Sequence, residues 1–208
     1  MPRAPLSNRE IERARQQLCD AALTLYREQG FEAVTFRRLA ERMGTSHTRP
    51  YHYFDSKETL FAAVRLGCYQ RFAALIRERD VPAADPATRL RSIYCGILDY
   101  VSRNPAEYQL MFAADQAPLR NYAELLSARR QAFDYLVDIV SQATDAGLID
   151  GDPRDIMHVG WGAVHGLLTL HTAGQLLHGR RLEALTEPLL RRVFHPLFEA
   201  DHHARRSA

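Results

Sequence analysis

Apolar residues recur at three- and four-residue steps along most of the chain, which is the pattern of amphipathic α-helices. The first helix is predicted to begin at an S-x-x-E capping box, formed by Ser7 and Glu10, and to end at Gly30. The alternation of apolar and polar residues that marks β-strands is not found, and the sequence contains no internal repeat. The pattern therefore predicts an all-α protein with about nine helices.

Capping residues and prolines mark the later helices. Asp85, Asn104 and Asp152 each stand before a proline, so each is a predicted N-cap. Gly179 is predicted to end the helix that Asp152 opens, and prolines inside the last helix predict a bend or ragged ends. The helices after residue 56 are predicted to begin at Lys57, Pro86, Pro105, Pro118, Pro153 and Leu182, and the last to run to about Ala200.

Residues 35–61, TFRRLAERMGTSHTRPYHYFDSKETLF, carry the most informative pattern. The apolar residues between 39 and 43 share one face of a short helix, and Gly44 follows where the chain must turn. Ser46 is then the predicted N-cap of a second helix at residues 47–53, and Asp55 or Ser56 caps a third. Two short helices joined by a tight turn are typical of helix-turn-helix proteins, whose second helix enters the major groove of DNA.

The same stretch resembles the DNA-binding domain of the tetracycline-repressor (TetR) family. Two residues depart from the family pattern: Thr45 stands where an apolar residue is usual, and Pro50 lies inside the predicted recognition helix. Counted from Ser46, Pro50 is the fourth helical residue, so its expected cost is below the roughly 3 kcal/mol of a mid-helix proline. The matching residues are Thr35, Arg37, Leu39, Ala40, Met43, Gly44, Ser46, Tyr51, Tyr53, Phe54, Lys57 and Leu60.

The resemblance implies two domains: a three-helix DNA-binding domain at residues 1–56, and a helical ligand-binding and dimerisation domain at residues 57–208. Trp161-x-x-x-His165-Gly166 is similar to the W-x-x-x-H-G signature of one type of TetR C-terminal domain, the WHG type. In the family, the eighth and ninth helices pair with their copies in a second subunit. The apolar residues at i+4 spacing in the ninth predicted helix, and the glycines of the eighth, fit such a homodimer.

Candidate DNA contacts divide into base readers and phosphate contacts, and the predicted phosphate contacts are Thr35, Tyr51, Tyr53 and Lys57. Arg49 is the predicted base reader, because a guanidinium bonds the O6 and N7 atoms of guanine in a bidentate way. Tyr53 has the alternative of being a core aromatic residue, and an N-terminal arm with Arg3 is either a disordered terminus or a minor-groove arm. The predicted DNA-binding residues are Thr35, Arg37, Ser46, His47, Thr48, Arg49, Tyr51, His52, Tyr53 and Lys57.

Aromatic and methionine side chains on the inner faces of the C-terminal helices are candidates for a small-molecule pocket. Such sites are mostly apolar with a few polar tips, and the alternative for each residue is a place in the core. The predicted ligand-binding residues are Tyr94, Tyr108, Met111, Phe112, Phe133, Met157, Trp161 and His165.

Composition narrows the remaining possibilities. A net charge of +2 does not by itself indicate a nucleic-acid partner, and Lys57 is the only lysine. Three cysteines without a C-x-x-C pair, after an N-terminus without an apolar run, indicate the cytoplasm. The histidine pairs His158–His165 and His171–His178 lack neighbouring metal ligands, so no metal or other cofactor is predicted.

These features predict a cytoplasmic transcriptional regulator that binds a palindromic double-stranded DNA operator. It is expected to be a dimeric repressor that a small apolar or amphipathic ligand releases from DNA. One alternative is a DNA-binding regulator without a ligand switch. The other is a helical enzyme, although no glycine-rich phosphate loop, G-x-S-x-G elbow or H-E-x-x-H motif occurs. The prediction is therefore a regulator that is not an enzyme and has no membrane partner.

Overall fold

The computed structural model describes residues 7–112, 122–177 and 179–198, and every regular element in those ranges is helical. The all-α prediction is confirmed: eight of the nine expected helices are α-helices, and the recognition helix is replaced by a short 3₁₀ turn at Pro50–His52. The α-helices are α1 (Asn8–Gln29), α2 (Phe36–Arg42), α3 (Lys57–Arg79), α4 (Pro86–Arg103), α5 (Pro105–Phe112), α6 (Ala123–Asp145), α7 (Pro153–Thr172) and α8 (Leu182–Val193).

Three of the predicted helix starts, at Ser7, Asp85 and Asp152, are present with their capping bonds. The Ser7 hydroxyl accepts from the Glu10 amide at 3.4 Å, and the Glu10 carboxylate accepts from the Ser7 amide at 2.8 Å. The Asp85 carboxylate accepts from the Thr88 amide at 3.0 Å, and Asp152 caps α7 in the same way. Each bond satisfies a backbone donor that has no partner inside its helix.

Helix α7 ends earlier than its sequence predicts. Gly174, with φ of 67°, follows the last turn of α7, so the helix ends there and not at Gly179. The amide of Gln175 donates to the Leu170 carbonyl at 2.8 Å, and that of Gly174 to the His171 carbonyl at 3.0 Å. These two bonds form a Schellman motif, so the first suitable glycine stops the helix.

Helix α8 is shorter than predicted, because the chain leaves the helix at Val193, before Pro196. Pro188 is accommodated inside the helix. The predicted start at Pro118, the arm with Arg3, and His178 lie outside the described residues.

Contacts between Cα atoms divide the described chain into two compact units. The first comprises residues 7–69, 106–112 and 122–126, and the second residues 70–105, 127–177 and 179–198. The first unit buries Leu18, Ala22, Leu39, Ala40, Leu60 and Phe61; the second buries Leu90, Ile97, Val140, Met157, Leu168 and Phe194. The predicted division of function at residue 56 remains a prediction.

A buried ion pair lies in the second unit. Arg89 of α4 donates two hydrogen bonds to the Asp80 carboxylate, at 2.9 and 2.8 Å, and a third to the Gln142 side chain at 2.7 Å. The Tyr135 hydroxyl of α6 donates to the same carboxylate at 2.6 Å. The bonds from Arg89, and next the one from Tyr135, hold the pKa of Asp80 below its usual value against the opposing effect of burial. The network joins the residue after α3 to α4 and α6.

In the part of the chain that the structure describes, no helix combines the length and the hydropathy needed to cross a membrane.

Candidate nucleic-acid interface

Helix α2 sits on a fully buried base and has an exposed first turn. Leu39 and Ala40 have 0% exposure, while the Thr35 hydroxyl caps the helix by accepting from the Arg38 amide at 3.3 Å. Arg37 is exposed over 78% of its side chain and lies 3.2 Å from the Glu41 carboxylate, a weak surface pair. The helix therefore presents the capping residue Thr35 and the exposed side chain of Arg37 to solvent.

Residues 46–53, hereafter the reading turn, do not form the predicted α-helix. Residues 47–49 form a turn and Pro50–His52 a 3₁₀ segment. Pro50 has no N–H to give the Ser46 carbonyl, which accepts instead from the Arg49 amide at 3.0 Å. Ser46 is thus not a helix cap, and its hydroxyl lies 3.3 Å from that of Thr48. The prediction of an α-helix at residues 47–53 was wrong.

The reading turn nevertheless exposes most of the side chains that were predicted to contact DNA. Pro50, in the middle of the turn, and Phe54, just after it, are buried. Tyr53 is half-buried. The Tyr51 ring packs edge-on against Phe36, with centroids 4.6 Å apart, and is still 61% exposed. The side chains left open to solvent are those of Ser46, His47, Thr48, Arg49, Tyr51 and His52.

Basic residues beside the reading turn hold the scaffold together. Arg42 of α2 makes two hydrogen bonds of 2.7 Å to the Glu28 carboxylate of α1. Arg38 donates to the Gln29 side chain at 2.5 Å and to the Ala33 carbonyl at 3.2 Å. These contacts fix α2 against the end of α1, so neither guanidinium is simply part of a solvated basic face.

Arg15 of α1 contacts the carboxyl end of the reading turn, and this contact was not predicted from the sequence. It donates to the Tyr53 carbonyl, and its guanidinium lies 4.3 Å from the centre of the Phe54 ring. The available signal was its place between Ile11 and Leu18, on the edge of the apolar face of α1.

Lys57 lies at the start of α3 and is partly committed to the protein. Its ammonium group donates to the Phe31 carbonyl at 2.8 Å, lies 3.8 Å from the Phe31 ring centre, and is 3.9 Å from the Glu32 carboxylate. Ser56 caps the helix, as predicted, by accepting from the Thr59 amide at 3.2 Å. Lys57 therefore ties α3 to the loop after α1, and its contact with a phosphate remains a prediction.

Three of the predicted ligand-binding residues lie on α5, in the first unit. Tyr108 and Phe112 pack with ring centres 4.9 Å apart, and the Met111 carbonyl accepts from the Tyr69 hydroxyl at 2.9 Å. Burial, and to a smaller degree the proximity of Tyr69, raises the pKa of Tyr108 well above its usual value. The structure brings these three residues together.

The other five predicted ligand-binding residues lie in the second unit. Trp161 and His165 of α7 stack with an interplanar angle of 16°, and half-burial, together with the nearby Arg129, lowers the pKa of His165. Phe133 packs on His158 at 4.6 Å instead of joining that stack. The ring centres of Tyr94 and Phe194 lie 5.9 Å apart, and burial raises the pKa of Tyr94. Met157 is fully buried.

A cavity of about 340 Å³ lies between α4 and α8. It contains none of the predicted ligand-binding residues, and nothing in the sequence pattern had pointed to it. Its lining is Cys95, Leu98, Asp99, Ser102, Leu182, Glu183 and Thr186. In the ranges that the structure covers, no three His, Cys, Asp or Glu side chains are placed to hold a metal ion.

The order α1, α2, reading turn and α3 is that of helix-turn-helix regulators, with the reading turn in the place of the recognition helix. The family model described as bacterial regulatory proteins, tetR family, matches residues 18–64. The model described as tetracyclin repressor-like, C-terminal domain, matches residues 90–193, which include Trp161 and His165. The chain belongs to the TetR family of bacterial transcriptional regulators, as the resemblance predicted.

Single relatives are similar to this chain over only part of their length. The transcriptional repressor NicS of Pseudomonas putida is 25% identical over 146 residues, covering 70% of this chain and 68% of its own length. The repressor AcnR of Corynebacterium diphtheriae is 36% identical over 76 residues, so the match spans 36% of this chain and 40% of that relative.

Solved structures agree in fold. A protein of unknown function from Rhodococcus sp. RHA1 superposes with a TM-score of 0.74 at 23% identity, over 92% of this chain and 98% of its own. The fatty acid degradation regulator FadR from Bacillus halodurans superposes with a TM-score of 0.71 at 18% identity, over 88% of this chain and 95% of its own. At these identities the likeness concerns the fold alone.

Proposed function

We propose that this protein is a dimeric transcriptional repressor that binds a palindromic DNA operator and is released by a small molecule. The observation that carries the proposal is the exposed polar surface of the reading turn and of the first turn of α2. That surface is built on side chains with no exposure and lies within the segment matched to TetR regulators. It has no catalytic role in this proposal.

The two parts of that surface have different tasks. Arg49 and His47 are exposed and polar, and a guanidinium can specify guanine in the major groove. Thr35 and Arg37 bind phosphate, because hydroxyl and guanidinium groups are common donors to phosphate oxygens. Phosphate contacts set the position of the turn, and base contacts set the sequence preference.

Helices α7 and α8 form the subunit interface in this proposal. Val159, Leu170 and Leu177 are 67%, 48% and 71% exposed, although they are apolar. A β-carbon at Gly162 or Gly166, on the same side of α7, would meet nothing within 4 Å. Exposed apolar residues beside glycines with free space around them allow another helix to approach α7 closely. On α8, Leu185 and Leu189 are half-exposed beside buried neighbours.

The effector is an apolar or amphipathic small molecule bound by the C-terminal helices. Half-buried aromatic residues with polar tips, such as Trp161 and His165, are the kind of lining that such ligands use. Release from DNA requires only that the ligand bind more tightly to a conformation in which the two reading turns no longer fit successive major grooves.

The test is footprinting of the purified protein on DNA upstream of its own gene, repeated over a series of salt concentrations. The expected result is a protected palindrome and an affinity that falls steeply with salt, because phosphate contacts release counterions. DNA of equal length from inside the coding region serves as the control. Equal, weak binding to both DNAs would overturn the proposal for this operator and leave the C-terminal helices as the place to look for function.

A further inference from the structure

The reading turn has too few internal bonds to fix its own shape. Within residues 46–53 the backbone bonds span three residues, from Arg49 to Ser46 at 3.0 Å, from His52 to Arg49 at 3.2 Å and from Tyr53 to Pro50 at 3.0 Å. One longer bond, from the Phe54 amide to the Pro50 carbonyl at 3.1 Å, joins the turn to the residue after it. Short 3₁₀ segments have poor hydrogen-bond geometry and, like any single helical turn, are marginal alone. Contacts with the rest of the unit must therefore hold the exposed side chains in one arrangement.

Apolar contacts fix the middle of the turn, where Pro50 is buried and Tyr51 packs on Phe36. The carboxyl end is held differently. There the Tyr53 carbonyl, which follows the last 3₁₀ residue, accepts a hydrogen bond from Arg15, and the Arg15 guanidinium covers the Phe54 ring at 4.3 Å. A hydrogen bond from a charged donor is stronger than one between two neutral groups.

We propose that Arg15 is a positioning residue for DNA reading: it fixes the carboxyl end of the reading turn and so orients Arg49 without itself touching DNA. The proposal rests on the proposed DNA-binding function. Arg15 lies on α1, half-buried, and its hydrogen bond to Tyr53 and its contact with the Phe54 ring both engage the residues that end the turn. Lysine at this position can donate one hydrogen bond but cannot lie flat over the Phe54 ring.

The experiment compares Arg15→Gln with Arg37→Gln, since each removes one positive charge near the interface. Operator affinity is measured for both over a salt series. Arg15→Gln is expected to lower the affinity about tenfold and to leave the salt slope unchanged. Arg37→Gln is expected to reduce the slope by about 1.8, because the dimer loses one phosphate contact in each half-site and each contact contributes about 0.9. Arg130→Gln, at an exposed position on α6 in the second unit, controls for the change in net charge.

Hydrogen exchange of the free protein supplies a readout that needs no DNA. Peptides covering residues 49–54 are expected to exchange several-fold faster in Arg15→Gln than in the wild type, and Arg15→Lys is expected to lie between them. Peptides from α6 serve as the internal reference for global stability.

Three results would overturn the proposal: unchanged exchange at residues 49–54, unchanged operator affinity, or a salt slope that falls as much as in Arg37→Gln. The last would show that Arg15 is itself a phosphate contact. If wild-type protein protects no operator, the proposed function fails, whereas the exchange data still decide whether Arg15 fixes the turn. If Arg15→Gln does not fold, Arg15→Lys and Arg15→Met carry the same comparison.

Discussion

At the scale of single residues, Pro50 decides how this protein presents its DNA-reading side chains. The missing N–H moves the bond on the Ser46 carbonyl to the Arg49 amide, which favours a 3₁₀ turn over an α-helix. The proline ring is buried, so it also anchors the turn. Residues 47–49 consequently project from a turn on the protein surface.

Arg49→Ala is expected to lower operator affinity by about 1–3 kcal/mol per half-site and to relax the sequence preference at one base pair of each half-site. The reason is the loss of a bidentate contact to a base, which non-specific DNA does not offer. Affinity for the operator and for a scrambled DNA of equal length is measured by fluorescence anisotropy. An equal loss on both DNAs would show that Arg49 binds phosphate instead.

Asp80→Asn is expected to destabilise the protein by about 3–5 kcal/mol at pH 7, because it leaves the Arg89 charge buried without its carboxylate. The Asp80 pKa is lowered by folding, chiefly through the hydrogen bonds from Arg89, so the carboxylate stabilises the fold above its unfolded pKa of about 3.9. That contribution is lost as the pH falls through the lower, folded pKa. Urea unfolding measured from pH 7 down to pH 3 should therefore show a smaller acid loss in the variant.

The matched control is Asp99→Asn. Asp99 pairs with Arg103 at 2.9 Å and is 41% exposed, so the expected effect is below about 1 kcal/mol. Equal destabilisation by the two substitutions would mean that the buried network does not stabilise the second unit beyond an ordinary surface pair.

At the scale of elements, the glycines of α7 fall into two groups with different tasks. A β-carbon on Gly160 would lie 2.9 Å from the Phe194 ring and 3.0 Å from the Val193 side chain, so this glycine lets α8 approach α7. Gly162 and Gly166 have open space instead. The sequence predicted close helix contact from the glycines as a set, but which glycine meets which helix depends on the rotation of α7 in the unit.

Gly160→Ala and Gly162→Ala are expected to change stability in opposite directions. The first inserts a methyl group against the fully buried Phe194, and overpacking outweighs the gain in helix propensity, for a net loss of about 1–2 kcal/mol. The second gains up to about 1 kcal/mol when it is measured on the monomeric protomer, because alanine is a better helix former and meets no neighbour within the protomer. Thermal unfolding of both variants checks the pair, and equal signs would contradict the assignment of Gly160 to the α7–α8 contact.

The limits of sequence reasoning are visible in particular residues. Helix starts were predictable because Ser7, Thr35, Asp85 and Asp152 make their capping bonds within three residues, so the signal is local. The shape of the reading turn was not predictable, because the backbone conformation around Pro50 depends on the burial of its ring and on the residues around it. The candidate ligand site is the extreme case: Tyr94 in a core and Tyr94 beside a ligand have the same helical spacing. No sequence motif marks the residues that line the cavity between α4 and α8.

At the scale of the whole molecule, one reading turn provides too little contact for a specific regulator. Two turns related by a two-fold axis read half-sites about 34–36 Å apart, and linkage raises the effective concentration of the second turn. This is the physical reason for the proposed dimer. The exposed apolar side chains of α7 are the feature of the protomer that a partner copy would cover.

Gly166→Leu is expected to convert the proposed dimer into a folded monomer. The protomer has room for the side chain, since nothing lies within 4 Å of a β-carbon there, but a second helix can no longer approach closely. Analytical ultracentrifugation should give half the wild-type mass with unchanged helical circular dichroism, and operator affinity should fall about 10²–10⁴-fold with the loss of linkage. Gln131→Leu adds the same group to an exposed position of α6 and should change neither mass nor affinity. A Gly166→Leu protein that remains dimeric would place the subunit interface on another surface, and one that becomes monomeric with full affinity would remove the need for two linked reading turns.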